Sequence, residues 1–342
     1  MITIKHIARK AGVTIGTVDR VLHGRGRVAK KTASRVMRIV TSTGYRTNVF
    51  ARNLVRSRTW KFAVLMPRRT QDSGYWDLAA QGVNRAQSEL SAYHVETPIF
   101  EFDRFSSRSF KKACADLLRS KPDGLLIAPV LPEQATAFIK QLGNAVPYVL
   151  FDSTIPDAQP LTRIGQDAYQ SGRLAARLMS MIVPQGSTIA VLREYPDVFH
   201  ISERTRGFSE FFSDQAGYTL KFQDETAEIK ASSMRETVER MRANMGQIRG
   251  IFVANASVHY IAEYAAAERL DVRIIGYDAI PRNLPGVRNG SIDFLISQRP
   301  QVQTWRGISV LYQHLALNQK CPEHIVAPID VITKENIDHY EV

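Results

Sequence analysis

The chain has 342 residues, 44% hydrophobic and 23% charged, a globular composition with length enough for two or three domains. Its formal net charge of +12 sits at one end: residues 1–60 hold 14 Lys and Arg against one acid, Asp19, and the remainder holds 31 bases and 32 acids. Two distant cysteines, Cys114 and Cys321, argue against a disulfide framework; no stretch approaches the roughly 18 apolar residues of a membrane span, and no apolar leader follows Met1, so the expected location is the cytoplasm.

A basic head on a neutral body is the electrostatic footprint of a nucleic-acid-binding module attached to something else. Thr3 can cap a helix whose apolar positions Ile4, Ile7, Ala8 and Ala11 recur at helical spacing. Gly12 supplies a turn and Val13 buries the corner; Thr14 then caps a second helix with Val18, Val21 and Leu22 facing inward. In such a helix-turn-helix the first turn of the second helix enters a major groove, which leaves Ile15, Gly16 and Arg20 toward base edges. Arg20 is suited to a guanine or equally to a phosphate. The loop His23-Gly-Arg-Gly-Arg27 lacks the preceding strand and the Gly-Lys-Ser/Thr ending of a nucleotide cradle. A third helix over about Lys31 to Thr43 buries Val36, Ile39 and Val40 and stops at Gly44. Ala29 stands where a capping Ser would help, and Lys30 and Lys31 oppose the helix dipole, which points to DNA phosphates as their partners.

The runs Thr-Ile-Lys-His-Ile-Ala-Arg-Lys-Ala-Gly-Val (3–13), Thr-Val-Asp-Arg-Val-Leu-His-Gly-Arg-Gly-Arg-Val (17–28) and Gly-Tyr-Arg-Thr-Asn (44–48) resemble the DNA-binding head of the LacI/GalR family of bacterial transcription regulators. Asn-Val-Phe-Ala-Arg-Asn-Leu-Val-Arg-Ser-Arg (48–58) resembles that family's hinge helix. The resemblance implies a DNA-facing set of Thr14, Ile15, Gly16, Thr17, Arg20, Arg27, Lys30, Lys31 and Asn48, with Leu54, aided by Ala51, as an apolar wedge in the minor groove. Two matched hinge helices open one groove, so it also implies a homodimer on a near-palindromic operator in double-stranded DNA. Asp19 and His6 depart from the family, which usually has Ser and Asp there, and Asp19 can clamp the neighbouring Arg20.

From Trp60 onward, strands and helices alternate. Phe62–Met66 is an apolar run, Trp76–Leu90 is helical, Val95–Phe102 alternates like a strand, and Arg108–Leu118 is helical. Gly124–Ala128 and Tyr148–Phe151 are apolar runs flanking a helix near Glu133–Leu142. After Ile164 the rhythm restarts: helix 168–182, strand Ile189–Leu192, helix 203–213, strand Thr219–Phe222, helix 232–245, strand Ile251–Val253, helix 257–269 and strand Val272–Gly276. Such βα alternation builds parallel sheets, with ligands beyond the carboxyl ends of the strands. The body resembles the type I periplasmic-sugar-binding fold, which implies three chain crossings between two lobes, near Leu161, Leu295 and Ala327.

The fold class expected is thus α/β: an all-α helix-turn-helix head (1–47), a hinge helix and linker (48–59), and a two-lobed periplasmic-binding-protein-like body (60–342). The N-lobe takes about 60–160 and 296–326, and the C-lobe about 161–295 and 327–342. Seven residues at strand ends are the candidate effector contacts. Tyr75 and Trp76 can stack on a pyranose face or pack at a helix start; Asp152 can accept paired hydroxyls. Arg204 matches the family's Arg-x-x-Gly-Phe; Asn255 and Asp278 match hydroxyl-holding positions, or serve as helix caps; Gln298 stands at a crossing strand. Asp167 is expected to be a cap. Together these favour a polyhydroxylated ligand, a sugar or sugar derivative. Arg68, Arg69, Arg163, Arg193 and Arg204 raise the alternative of an anionic sugar derivative. No cofactor is expected, no metal-ligand spacing occurs, and His23, His94, His200, His259 and His314 are scattered. The expectation is a repressor that is not an enzyme. Its rivals are a sugar- or nucleoside-acting enzyme using Asp152 and Asp278, which lacks a supporting motif, and an architectural DNA protein.

Overall fold

The computed structural model describes residues 4–22, 26, 28–43, 58–213, 215, 217–225, 236–241, 243 and 248–340, in two compact units divided between Arg58 and Thr59. Thr3, Arg27, Asn48, Ala51, Leu54 and the expected hinge helix lie outside the described residues.

The head has three helices, α1 (Ile4–Ala11), α2 (Ile15–Leu22) and α3 (Lys30–Thr43). Gly12, at φ +63, ends α1 in a reversal where its own N–H donates to Arg9 O and that of Val13 donates to Ala8 O, the pairing of a Schellman stop. Thr14 Oγ1 then accepts the Thr17 N–H at 3.2 Å and opens α2. Ile7, Ala8, Ala11, Val18 and Val36 form a small core, with Val13, Val21, Leu22, Ile39 and Val40 packed around it. α3 starts at Lys30, one residue before the expected start; the Ala29 carbonyl accepts from Thr32 and Ala33.

The body's first sheet comprises β1 (Trp60–Pro67), β2 (Val95–Glu96), β3 (Ile99–Phe102), β4 (Gly124–Ile127), β5 (Tyr148–Phe151), β6 (Thr162–Gln166) and β12 (His324–Ala327). Its order is β12-β6-β5-β4-β1-β2, with β3 also on β1, and every pairing is parallel. The second sheet, β13-β11-β10-β9-β7-β8, is built from β7 (Thr188–Glu194), β8 (Thr219–Glu225), β9 (Ile248–Val253), β10 (Arg273–Tyr277), β11 (Phe294–Ser297) and β13 (Asp330–Ile332). Only β13 runs antiparallel in it. Central strands such as Phe62–Met66 and Leu125–Ile127 are buried on both faces, as a helix-covered parallel sheet demands. The expected strand Val95–Phe102 is two short pieces, broken where Pro98 has no N–H for a ladder.

The helices that bear on the site are α4 (Tyr75–Leu90), α5 (Ser107–Arg119), α6 (Pro132–Leu142), α7 (Ala168–Ile182), α8 (Phe199–Ser213), α9 (Val258–Ala267), α10 (Leu284–Asn289) and α11 (Pro300–Leu315). α7 and α8 touch backbone to backbone: a Cβ added at Gly172 would lie 1.9 Å from Arg204 O, and one at Gly207 would lie 2.1 Å from Tyr169 O. The chain passes between the sheets after β6, after β11 and between β12 and β13. The first passage therefore follows Gln166 and not Leu161. Thr162–Gln166, polar in composition, shows no apolar run, yet it pairs with β5 on one side and β12 on the other, and the buried Thr162 hydroxyl donates to Pro322 O at 2.6 Å.

Candidate functional site

Parallel strands deliver their carboxyl ends to one edge of each sheet, and in the body those two edges face one another across a cavity. From the first lobe come Asp72, Tyr75 and Trp76 after β1, Arg104 after β3 and Asp152 after β5. From the second come Tyr195 after β7, His200 and Arg204 on α8, Asn255 after β9 and Asp278 after β10, while Gln298 sits on the second passage between lobes. The seven effector candidates, Tyr75, Trp76, Asp152, Arg204, Asn255, Asp278 and Gln298, thus line one cavity. Its free volume is about 40 Å³, room for two or three waters at about 15 Å³ each, so a sugar ring enters only as the lobes part.

In this closed form several polar groups of the lining pair with one another, while Asp72 Oδ1, His200 Nδ1 and Arg204 Nε have no hydrogen-bond partner in the protein. The Tyr75 hydroxyl donates to Asp152 Oδ1 at 2.5 Å. Asp278 receives the Gln298 backbone N–H at 3.0 Å and its side-chain amide at 2.7 Å. Arg204, 1% exposed, donates from Nη1 to Ala254 O at 2.8 Å and stacks 3.9 Å over the Tyr277 ring. Burial lifts the Asp152 carboxyl to about 6, although the Tyr75 hydroxyl and the Arg204 charge both pull it down. Burial raises Asp278 too, again against Arg204. His200 is driven well below its usual range, first by burial and then by Arg204 and Arg104, so the imidazole is neutral. Its Nδ1 stands 3.8 Å from Asp152 Oδ2, beyond hydrogen-bond reach.

Sequence reasoning missed four polar or aromatic lining residues, Asp72, Arg104, Tyr195 and His200, besides the apolar Val130, Ile201 and Ala256. Asp72 accepts the Trp76 indole N–H at 2.6 Å and pairs with the buried guanidinium of Arg104. Arg104 in turn lies 3.8 Å over the ring of Tyr195, a contact between lobes. His200 was one histidine among several, and Tyr195 carries no motif; Tyr195 directly follows the end of β7 and His200 lies in the first turn of α8, the one available signal. Just past the lining, Glu194 is 1% exposed at the end of β7, and burial pushes its carboxyl to about 8.

Two amides behind the wall hold it in place. The Asn283 side-chain N–H groups reach the carbonyls of Ala256, Tyr277 and Asp278 at 2.8–3.0 Å, and its oxygen lies 3.0 Å from His259 Nδ1. Gln303 accepts the Asp152 N–H at 2.9 Å and donates to Gln298 O at 3.0 Å. Asp152 and Asp278 both hold positive φ, 68° and 64°, so these bonds secure strained turns. Asp167 caps α7 by accepting the Gln170 N–H at 2.9 Å.

Of the five arginines behind the anionic alternative, only Arg204 lines the cavity. Arg68 pairs with Asp103, Arg69 with Glu101 and Arg193 with Asp224, while Arg163 donates to Ala158 O. Among the described residues no group of three His, Cys, Asp or Glu is arranged to hold a metal ion.

On the head, Ile15, Gly16, Arg20, Lys30 and Lys31 are exposed, Ile15 by 42%, and Thr14 and Thr17 share a hydroxyl contact of 3.0 Å at the start of α2. Arg20 Nε donates to Gly16 O at 3.1 Å, one turn back. No helix of the described residues is long and apolar enough to cross a membrane.

Residues 3–48 match the model of the bacterial regulatory proteins, lacI family, and residues 62–320 match the periplasmic binding protein domain. The ribose operon repressor of Bacillus subtilis is 25% identical over 292 residues, 83% of each chain. The crystal structure of a putative LacI transcriptional regulator from Bacteroides fragilis superposes with a TM-score of 0.74 at 27% identity, over 83% of this chain and all of that one. A solute-binding protein of an ABC transporter from Agrobacterium vitis, bound with alpha-D-tagatopyranose, shares the fold with a TM-score of 0.73 at 21% identity, over 82% of this chain and 96% of that one. The chain belongs to the lacI family of bacterial regulatory proteins, with a helix-turn-helix DNA-binding head and a periplasmic-binding-protein body.

Proposed function

We propose that this protein is a transcriptional repressor whose affinity for its operator is set by a neutral sugar bound in the cavity between the lobes. The observation that carries the effector class is the cavity's chemistry: two carboxylates, Asp152 and Asp278, around a single available guanidinium, Arg204, beside the rings of Tyr75, Trp76 and Tyr195. Carboxylates accept pairs of hydroxyl donors, the guanidinium donates to ring and hydroxyl oxygens, and aromatic faces cover the apolar side of a pyranose or furanose. Arg104 is engaged by Asp72, which leaves an acidic surplus that disfavours anions. Names such as ribose operon repressor among the relatives support the same reading, and they favour a regulator over an enzyme acting through the two aspartates.

On the DNA side, Thr14, Ile15, Gly16, Thr17 and Arg20 meet the major groove, and Lys30 and Lys31 meet phosphates. Arg27 and Asn48 extend that set, and Leu54 with Ala51 wedges the minor groove. The acting species is a homodimer. Ligand exchanges with the bonds inside the closed cavity, shifts the balance between open and closed lobes, and alters the spacing of two hinge helices, each too short to be stable alone in water. The test is fluorescence anisotropy on near-palindromic operator DNA, with and without neutral pentoses and hexoses. A sugar that changes operator affinity by about tenfold or more supports the reading; equal affinity with and without a sugar shown to bind removes it.

A further inference from the structure

On the far side of Asp152 and His200 lies a second chamber of about 370 Å³, within the size range of small-molecule sites. Asp152 and His200 belong to the walls of both spaces. The segment after β5 and the strands β6 and β12 contribute one part of the lining and the N-terminal parts of α7 and α8 another, so both lobes take part.

Four residues of this lining carry a buried polar atom without a hydrogen-bond partner in the protein: Ser153 Oγ, Thr154 Oγ1, Gln166 Oε1 and His200 Nδ1. Buried polar atoms are ordinarily paired, and four unpaired ones around one space call for an explanation. Gln166 stands out among them. Its amide nitrogen donates to Ser297 O at 3.0 Å and to Pro328 O at 2.9 Å, tying the first passage between lobes to the other two. Its oxygen is covered in the closed form and becomes free to accept from a ligand as the lobes part.

We propose that this chamber is a second sugar subsite, which takes a polyhydroxylated unit at the pivot of the two lobes. Hydroxyl groups both donate and accept, which suits an amide oxygen, two hydroxyls and a neutral imidazole together. The rings of Tyr169 and Phe199 supply the apolar face. The inference rests on the cavity being a sugar site. The unit in the chamber is either a separate monosaccharide or the second ring of a disaccharide whose first ring fills the cavity.

Isothermal titration of the full-length protein with neutral pentoses, hexoses and their disaccharides separates these, alongside Val326→Trp and Asp278→Asn. Val326 is 68% exposed and lines the chamber but not the cavity, so an indole there obstructs the chamber without burdening the core. Two equivalents of one monosaccharide identify a separate molecule; one equivalent of a disaccharide, preferred about tenfold or more, identifies a linked unit. In either case Val326→Trp removes the second equivalent or the preference and holds monosaccharide affinity within about threefold. Asp278→Asn weakens the cavity equivalent about 100-fold. One equivalent of monosaccharide, no disaccharide preference and an unaffected Val326→Trp overturn the subsite and leave the cavity reading standing. No binding by any of these sugars overturns both.

Discussion

Gly172→Ala adds one methyl group to a helix that never lines the effector cavity, yet it should weaken both the fold and ligand binding. The new Cβ lies 1.9 Å from Arg204 O and 2.7 Å from its carbonyl carbon, both backbone atoms. Restoring ordinary contact drives α7 and α8 apart by about 1.5 Å. Overpacking of this severity costs about 3 kcal/mol, against about 1 kcal/mol gained from the better helix propensity of alanine, for a net loss near 2 kcal/mol. In a body of this size that lowers the melting temperature by about 4–6 °C. Because the displaced residue is Arg204, its guanidinium moves off the Tyr277 ring and away from Asp278, and sugar affinity falls about tenfold or more. Gly165→Ala is the control: its Cβ meets Asp152 O at 3.6 Å, an ordinary contact, and the melting temperature should stay within about 1 °C. Differential scanning fluorimetry and titration calorimetry on both variants decide the matter. A Gly172→Ala protein that melts and binds like the wild type would refute the close packing of these helices and the coupling to Arg204.

Glu194→Gln tests the buried carboxyl at the end of β7. With a native pKa near 8 against an ordinary 4.5, the folded state holds a proton that the unfolded state has released between those limits, so stability falls as pH rises through that window. The glutamine variant should flatten the decline by up to about 1.4 kcal/mol per pH unit, read as melting temperature from pH 5 to 8; parallel curves for both proteins would exclude the effect. Asp278→Asn keeps the shape but places an amide against the Gln298 amide and removes the charge beside Arg204; sugar affinity should drop by about 100-fold with the fold retained by circular dichroism. A loss below threefold would place the ligand elsewhere. Lys30→Ala and Lys31→Ala should each weaken specific and non-specific DNA alike and reduce the slope of log affinity against log salt by about 1; an unchanged slope means that the lysine meets no phosphate.

The head is legible in sequence because each of its decisions is local: Gly12 reverses the chain, Thr14 caps, and a handful of apolar residues at helical spacing fill the core. The parallel sheets are legible for a different reason, since Phe62–Met66 and Leu125–Ile127, buried on both faces, must be continuous apolar runs. β6 escapes that rule. Thr162–Gln166 is held by its neighbours and by the Thr162 hydroxyl, and a polar strand held this way looks like a loop. The same divide runs through the cavity. Asp152 and Asp278 follow strands and can be placed by counting, and the structure brings them together with the five other candidates. Arg104 and Tyr195 meet only when two lobes far apart in sequence close on each other, and no local pattern encodes that meeting.

The amides of Asn283 and Gln303 grip the main chain of the turns that present Asp278 and Asp152, and neither amide lines the cavity. Support and recognition are therefore assigned to different residues. A side chain facing the sugar can be exchanged while the scaffold beneath it stays anchored through backbone atoms that no substitution alters. On the sugar-binding role proposed for the cavity, the protein is a chassis for a biosensor: substitutions at Tyr75, Tyr195 or His200 should change effector preference with the fastening left untouched.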